Sequence, residues 1–501
     1  MKRKKVLASV ATVTVFGVFT RVISFVFKIY LSRALGAEAI GLYQIAVSVF
    51  YLFASLSSGG VPLVLSRKAA ESEALYGRAD HSYFSSALVL GVLISATTTG
   101  ALALLNTNLS FLFADEGALP LFLVTLPALM STTIYSVVRG WMWGKRDFTS
   151  FSATETVEEV LRILFSALFI SGVVGGVSGV YGVALAFAVS DVIVAVLLLV
   201  LFFVKGGKLT RPSKIKEILF PSLPVTAMRV FSGLISTLIA FLLPLRLMQF
   251  GMTGAEATAS YGRVAGMANP LLLAPNALIS SLAIVLIPEM SASGAKKRYD
   301  VLNRQLNAGL NFAFVIGGLF LTAYIALGRE ITELLYDDAI SGEYLQYAAY
   351  VMLPMSLSQL TQSALNSIGK EGVAFRNYFI GNVALILSVV FLPKYIGIYS
   401  VAAATLVSLL CTAVLNVYSL RKYVEFEFHF VKRLVAVFLF VFPSAFLSDG
   451  VQSLLADGLG LYAIFPSALV GVASYIALCL CTDLVDVKGF FHLRRQAKSR
   501  V

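Results

Sequence analysis

Apolar runs long enough to cross a bilayer recur along the whole chain, and that supply of spanning segments decides the fold class. The stretch from Val6 to Leu31 is one of them; a spanning helix needs about 20 such residues at ~1.5 Å each. The runs are continuous rather than alternating, which excludes a transmembrane β-barrel. Of the 501 residues, 58% are hydrophobic and 13% charged, about half the charge of a soluble domain. The chain is therefore expected to be an all-α polytopic membrane protein with about fourteen transmembrane helices. The first segment is too long for a signal peptide and lacks a small-residue cleavage site, so it is expected to stay.

The net charge of +12 points to membrane topology and not to nucleic acid. Cations gather at Lys2, Arg3, Lys4 and Lys5, then at Arg67, Lys68 and Arg78, at Arg139, Lys145 and Arg146, and at Lys205, Lys208, Arg211, Lys214 and Lys216. Later clusters follow at Lys296 to Arg298, at Lys370 and Arg376, around Arg421 and Arg433, and in the tail from Arg494 to Arg500. The intervening loops, such as "NTNLSFLFADEGALP", have almost none. Positive charge marks the cytoplasmic side, so both termini are expected there, in the cytoplasmic membrane of a bacterium. Cys411, Cys479 and Cys481 fall in apolar runs and form neither a disulfide framework nor a zinc spacing. His81, His429 and His492 fall in loops or the tail, so no metal site and no cofactor are expected.

The most basic internal loop, "KGGKLTRPSKIKE", divides the chain into six helices and eight. The string "GAEAIGLY" at Gly36 returns as "GAEATASY" at Gly254, after the first helix of each part. Both parts start from the same side, so the repeat is parallel. Its pseudo-two-fold axis is expected along the membrane normal, with a central cavity between two six-helix bundles. The expected divisions are 1–204 for the first bundle, 205–217 for a basic cytoplasmic linker and 218–425 for the second bundle. Two further helices and a basic tail complete the chain at 426–501.

Polar groups inside the membrane carry the functional information. Arg21 lies about 15 residues into the first run, roughly 22 Å along the helix, where an arginine costs at least ~2.5–3.5 kcal/mol. Ser24 and Lys28 share its face. The seventh helix carries Arg229, Ser232 and Ser236; the eighth carries Arg263, Asn269 and Asn276, with Pro270 and Pro275 expected to kink it. Lys28, Arg33 and Arg246 also read as snorkelling cations at helix ends. Acids are scarce: Glu155, Glu158 and Glu159 where the fifth helix enters, and Asp191 in the sixth. The structural reading makes Ser152 and Glu155 a capping box, Glu158 and Arg162 an i,i+4 pair, and Asp191 a partner for a cation; the alternative is a proton or cargo role. So few acids cannot pair all the cations, which leaves an external anion as partner. The planar fork of arginine suits phosphate. There is no Walker A string, no G-x-S-x-G elbow and no HExxH.

The two six-helix halves, the arginine in the first helix, "LSRALGAEAIGLYQ" after it, "RGWMWGKRDF" after the fourth helix and the two extra helices resemble the multidrug/oligosaccharidyl-lipid/polysaccharide (MOP) exporter superfamily. The nearest likeness is to its stage V sporulation protein B branch, similar to lipid II and O-antigen flippases. The resemblance implies a transporter and not an enzyme. It would move an undecaprenyl-diphosphate-linked oligosaccharide, lipid II or a related cell-wall precursor, by alternating access. By the same resemblance Arg21 contributes to a cationic central cavity, Arg229 and Arg263 occupy the corresponding part of the second half, and helices thirteen and fourteen form a groove for the lipid tail. Membrane lipid and cell-wall synthesis proteins are the implied partners, in vegetative wall or sporulation. Some relatives hold sodium on second-half carboxylates; helices seven, eleven and twelve have none, so membrane potential or protons are the candidate drivers.

Two other functions compete. A cation-coupled multidrug exporter of the same superfamily needs an acid in the first helix, which has Arg21 instead. A membrane glycosyltransferase needs catalytic acids and sizeable outer loops, and only "GREITELLYDDAISGEY" is acidic.

Overall fold

The computed structural model describes residues 2–172, 179–275, 290, 293, 296–424 and 430–481. Residues 173–178, Asn276 with the rest of the expected eighth helix, and the tail cations lie outside these residues. Among the described residues there is no strand. Nine helical stretches among them are long and apolar enough to cross a membrane, counted over the described residues alone, and two of the nine, Phe16–Tyr76 and Lys432–Cys481, have 61 and 50 residues, enough for two passes each. The chain is a multi-pass, all-α membrane protein.

The first compact unit comprises Met1–Met248 and Met252–Gly262. It contains α1 (Lys2–Ser58), α2 (Val61–Tyr76), α3 (His81–Leu104), α4 (Ala118–Gly144), α5 (Phe148–Ile170), α6 (Gly179–Val204), α7 (Ile215–Gln249) and α8 (Gly254–Gly262). Helix α6 packs on α4 and α5, and α1 on α4 and α5. Phe84, Trp141 and Phe202 build a core at one end, with the Phe84 and Phe202 rings stacked at 3.9 Å. The second unit, Gln249–Gly251 with Arg263–Val501, contains α9 (Tyr299–Tyr336), α10 (Ala339–Ala348), α11 (Met352–Ser367), α12 (Glu371–Phe391), α13 (Ser400–Val424), α14 (Phe430–Leu459) and α15 (Ile464–Cys481). There Ala326 and Leu327 of α9 meet Ala445 of α14 and Ile464 of α15. This division by packing falls after α8, whereas the sequence repeat suggests one at the basic linker.

Several boundaries differ from expectation for local reasons. The apolar run at 42–65 has the length of a single span but is broken at Gly59 and Gly60, because Pro62 opens a new helix where its missing N–H costs nothing. The break also seats backbone on α7: a Cβ on Gly60 would lie 2.3 Å from the Ser222 carbonyl oxygen, and the Gly60 N–H donates to Thr226 Oγ1 at 2.9 Å. The apolar runs at 378–391 and 434–447 are short for a span, yet the helices that contain them, α12 and α14, are 21 and 30 residues long. A π-turn at Arg263–Ala268 precedes Pro270, so the irregularity expected from the prolines begins a turn earlier. No capping box forms at Ser152 and Glu155. Helix α5 starts at Phe148 behind Asp147, and the Ser152 carbonyl accepts from Thr156. Burial pushes the Asp147 carboxyl up, but hydrogen bonds from Lys205 and Ser150 outweigh it and hold the pKa below the usual range.

The repeated string marks a crossing. Gly36 (φ 79°, ψ 174°) interrupts α1, and Gly254 opens α8. A Thr253–Glu256 capping box holds the start of α8, with the Thr253 N–H donating to Glu256 at 2.9 Å. The segments after these two glycines pack on each other. A Cβ on Gly41 would lie 2.1 Å from the Thr258 carbonyl oxygen, and one on Gly262 2.0 Å from that of Ala37. Tyr261 Oη lies 3.4 Å from Ser48 Oγ beside them. Linker residues are held to α3, with Thr210 and Lys214 N–H groups donating to Ser85 and Ser86. Gly41→Ala should cost roughly 1–3 kcal/mol through overpacking against rigid backbone. Gly100→Ala, where a Cβ meets nothing within 4 Å, should be close to neutral. Thermal melting of the purified protein checks both; equal melting of the two variants would refute the tight crossing.

Candidate functional site

Three stretches of the first unit turn a polar stripe toward one cavity. Tyr51, Ala54, Ser55 and Ser58 on α1, Thr132, Tyr135, Ser136 and Arg139 on α4, and Glu155, Glu158, Glu159 and Arg162 on α5 each follow i, i+3, i+4, i+7 spacing, which is one helix face. Thr20, Arg21 and Ser24 of α1, Asp191 of α6 and Arg229 of α7 complete the wall of a cavity of about 500 Å³. Helix α5 is absent from the apolar spanning segments because it carries this charged face.

Arg162 organises the acids. Its Nη1–H donates to Glu159 at 3.1 Å, and its Nη2 to Asp191 at 3.1 Å and to Glu158. The other Asp191 oxygen accepts from Thr132 at 2.7 Å. The Phe187 ring lies 5.0 Å from the Arg162 guanidinium carbon. All four charged side chains are at least four-fifths buried, from 9% exposed for Asp191 to 19% for Glu158. The expected Glu158–Arg162 pair is present, and Asp191 does partner a cation.

The cationic side is different. Among the described residues, Arg21 and Arg229 make no ion pair within 4.0 Å. Glu155 feels the charges of Arg139 and Arg21 without pairing with either. Four arginines face four acids, but three of the acids are gathered on Arg162, leaving Arg21, Arg139 and Arg229 with Glu155 alone. Arg139 was expected in a loop among cytoplasmic cations and instead lies within α4, lining the cavity. The stripe of which it is the last member was readable in the sequence.

The remaining candidates divide. Lys28 is half-buried below Arg21 and Ser24, with the charge of Glu159 near it. Arg229 also borders a second cavity of about 650 Å³, with Ser232 and Ser236 on its α7 wall and Tyr51 and Ser55 shared with the first. Arg263 and Asn269 belong to the second unit. There the Arg263 Nε–H reaches both oxygens of Asp338, at 2.9 and 3.2 Å, and Asp338 also caps α10 through the Ser341 N–H at 2.7 Å. Arg263 thus has an internal acid, unlike Arg21 and Arg229. The second unit holds a larger cavity, about 920 Å³, where Arg329, Glu330, Glu343 and Asp449 face Phe442 and Phe446. It is acidic overall and contains none of the expected residues. Among the described residues no group of three or more His, Cys, Asp or Glu side chains could hold a metal ion.

Comparison with known proteins places this geometry. The family described as Polysaccharide biosynthesis protein matches residues 6–293, a span that includes every residue of the arginine-lined cavity. Stage V sporulation protein B of Bacillus subtilis (strain 168) is 24% identical over 513 residues, covering 97% of this chain and 95% of that protein. A structure of the lipid II flippase MurJ in an inward closed conformation superimposes with a TM-score of 0.73 at 15% identity, covering 94% of this chain and 98% of that one. An inward-facing multidrug resistance MATE family transporter of the MOP superfamily follows with a TM-score of 0.69 at 16% identity, over 81% and 94%.

Removing Arg162 leaves three buried carboxylates with no cation to hold them. Arg162→Gln should destabilise the protein by roughly 3–5 kcal/mol, the cost of breaking a buried ion pair. Adding Glu158→Gln should recover part of that loss, because the two changes share a partner. A double-mutant cycle read by thermal melting checks this; strict additivity would sink it.

Proposed function

For a chain that belongs to the polysaccharide biosynthesis protein family, as this one does, we propose a flippase for an undecaprenyl-diphosphate-linked oligosaccharide. The chain is a membrane transporter of the MOP superfamily in family and fold; the cargo is our reading. The observation that carries it is the separation of charge in the first unit's cavity. Three acids are gathered around Arg162, while Arg21 and Arg229 present guanidinium groups that pair with no acid among the described residues. A cation deep in a membrane protein persists where something compensates it. A diphosphate does so with two charges and oxygens matched to the arginine fork. The cavity volume lies in the range of small-ligand sites, enough for the diphosphate part of a cargo. Lipid II or a related cell-wall precursor fits this chemistry, and cell-wall synthesis proteins are the partners such a cargo implies. Alternating access would carry the headgroup from the inner to the outer leaflet.

The competing reading, a cation-coupled multidrug exporter, draws on the acids of the same cavity. Three of these already pair with Arg162, so a cationic drug would compete with an internal guanidinium for them. The basic loops favour cytoplasmic termini in a bacterial cytoplasmic membrane. A reporter fused to the N-terminus should be active only if it works in the cytoplasm; activity of an export-dependent reporter there would reverse the topology.

Arg21→Ala should abolish function in a cell that depends on this protein while leaving expression and melting close to wild type. Binding of a diphosphate lipid by the purified variant should weaken roughly 10–100-fold, from loss of charge-assisted hydrogen bonds. Arg21→Lys should rescue only in part, because lysine keeps the charge and loses the fork. Undiminished flipping by Arg21→Ala would overturn the cationic-site reading.

A further inference from the structure

Arg139 is held in a way no other cation of the cavity is. Its helix is locked against α2: a Cβ on Gly140 would lie 2.5 Å from the Pro62 carbonyl oxygen, and one on Gly144 2.7 Å from that of Ser66. Trp141 and Met142 between them are buried. From this fixed backbone the Arg139 side chain enters an aromatic enclosure. Its guanidinium carbon lies 5.0 Å from the centre of the Trp143 ring, 5.7 Å from Tyr135 and 5.9 Å from Phe151. The rings brace one another edge to face, Trp143 on Phe151 at 5.6 Å and Tyr135 on Phe151 at 6.3 Å.

Ring faces attract a cation electrostatically without accepting its in-plane N–H donors in ordinary hydrogen bonds. The enclosure therefore holds the charge of the guanidinium and leaves its donors uncommitted. Among the described residues none of them is used. Arg139 makes no hydrogen bond and no ion pair, and its Nε is buried without a partner. Glu155 is close enough for its charge to be felt but does not pair. Arg139 also shares the cavity wall with Arg21 and Arg229, and its charge acts on Arg229. Three like charges around one cavity, one of them pre-oriented by aromatic rings and short of acceptors, make a receptor for a polyanion.

We propose that Arg139 is a third direct contact of the cargo diphosphate, pre-oriented by the enclosure of Tyr135, Trp143 and Phe151. The inference rests on the flippase reading above and assigns that site a residue and a rigid part. The fork of donors makes the role specific to arginine, since lysine keeps the charge and loses the fork, so lysine should not replace it. An arginine serving only to pack the aromatic rings would make no difference to a diphosphate.

The test uses the full chain in lipid nanodiscs, with undecaprenyl diphosphate as probe and undecaprenol as control. Wild type should prefer the diphosphate. Arg139→Gln and Arg139→Lys should each weaken that binding about tenfold or more, and Trp143→Leu should weaken it several-fold by freeing the guanidinium. A readout on the unmutated protein guards against variants that fail to fold. Phenylglyoxal modification of Arg139, mapped by mass spectrometry, should be suppressed by undecaprenyl diphosphate and not by undecaprenol. Equal modification with and without the diphosphate, or wild-type binding by Arg139→Gln while Arg21→Ala has lost it, would overturn the Arg139 assignment and leave the flippase reading intact. A wild type that binds the diphosphate no better than undecaprenol would overturn both.

Discussion

One guanidinium holding three carboxylates inside a membrane protein is the interaction on which the charge layout of the first unit depends. Any of Glu158, Glu159 and Asp191 alone in a low-dielectric interior would pay a desolvation cost of several kcal/mol. Arg162 reaches all three from one side chain, and Thr132 satisfies a further oxygen of Asp191. Formally the group still carries more negative than positive charge. The nearby charge of Lys28 and the cavity itself, which admits water, supply the remaining compensation. The arrangement gathers the acids of α5 and α6 to one place and so leaves the arginines of α1, α4 and α7 without them. Had the acids been dispersed one to each arginine, the cavity would be a set of closed ion pairs with nothing to offer a ligand.

Glycine-mediated backbone approach is the second determinant. Helix α1 is interrupted at Gly36 and ends at Gly59–Gly60, and near each break a helix backbone comes to within a distance only glycine allows. Between the breaks lies the stripe of Tyr51, Ser55 and Ser58 that faces the cavity. Close backbone contact thus fixes the rotation of this segment about its axis, and with it which residues are wet. Small residues act this way where lipid provides no hydrophobic drive between helices.

Apolar run length made most of the helices legible, because a bilayer imposes a length that few other constraints do. It misled where a helix is long and apolar yet broken by local chemistry, as at Gly59–Gly60, since Gly-Gly-Val-Pro reads as apolar to any averaging window. The same habit of reading cations as loop markers put Arg139 outside the membrane, although Thr132, Tyr135, Ser136 and Arg139 already had the spacing of a buried polar face. Arg21, Ser24 and Arg229, which line the cavity, stand out in the sequence because depth in a long run needs no partner to be visible. The pairing of Arg263 with Asp338 does not, because the two are 75 residues apart and nothing local links them. The gathering of three acids on one arginine was not legible either, since only folding brings α5 beside α6.

That asymmetry between what depth reveals and what pairing hides bears on how such sites should be read. A deep arginine is a question about compensation, and sequence alone offers three answers: an internal acid, water, or a ligand. The structure separates them residue by residue. Arg162 and Arg263 take internal acids, Arg139 takes aromatic faces, and Arg21 and Arg229 face a polar cavity with neither. Three solutions to one electrostatic problem within a single chain argue that the unpaired arginines are not leftovers of an acid-poor sequence. Acids were at hand in the same cavity, and the fold places them elsewhere.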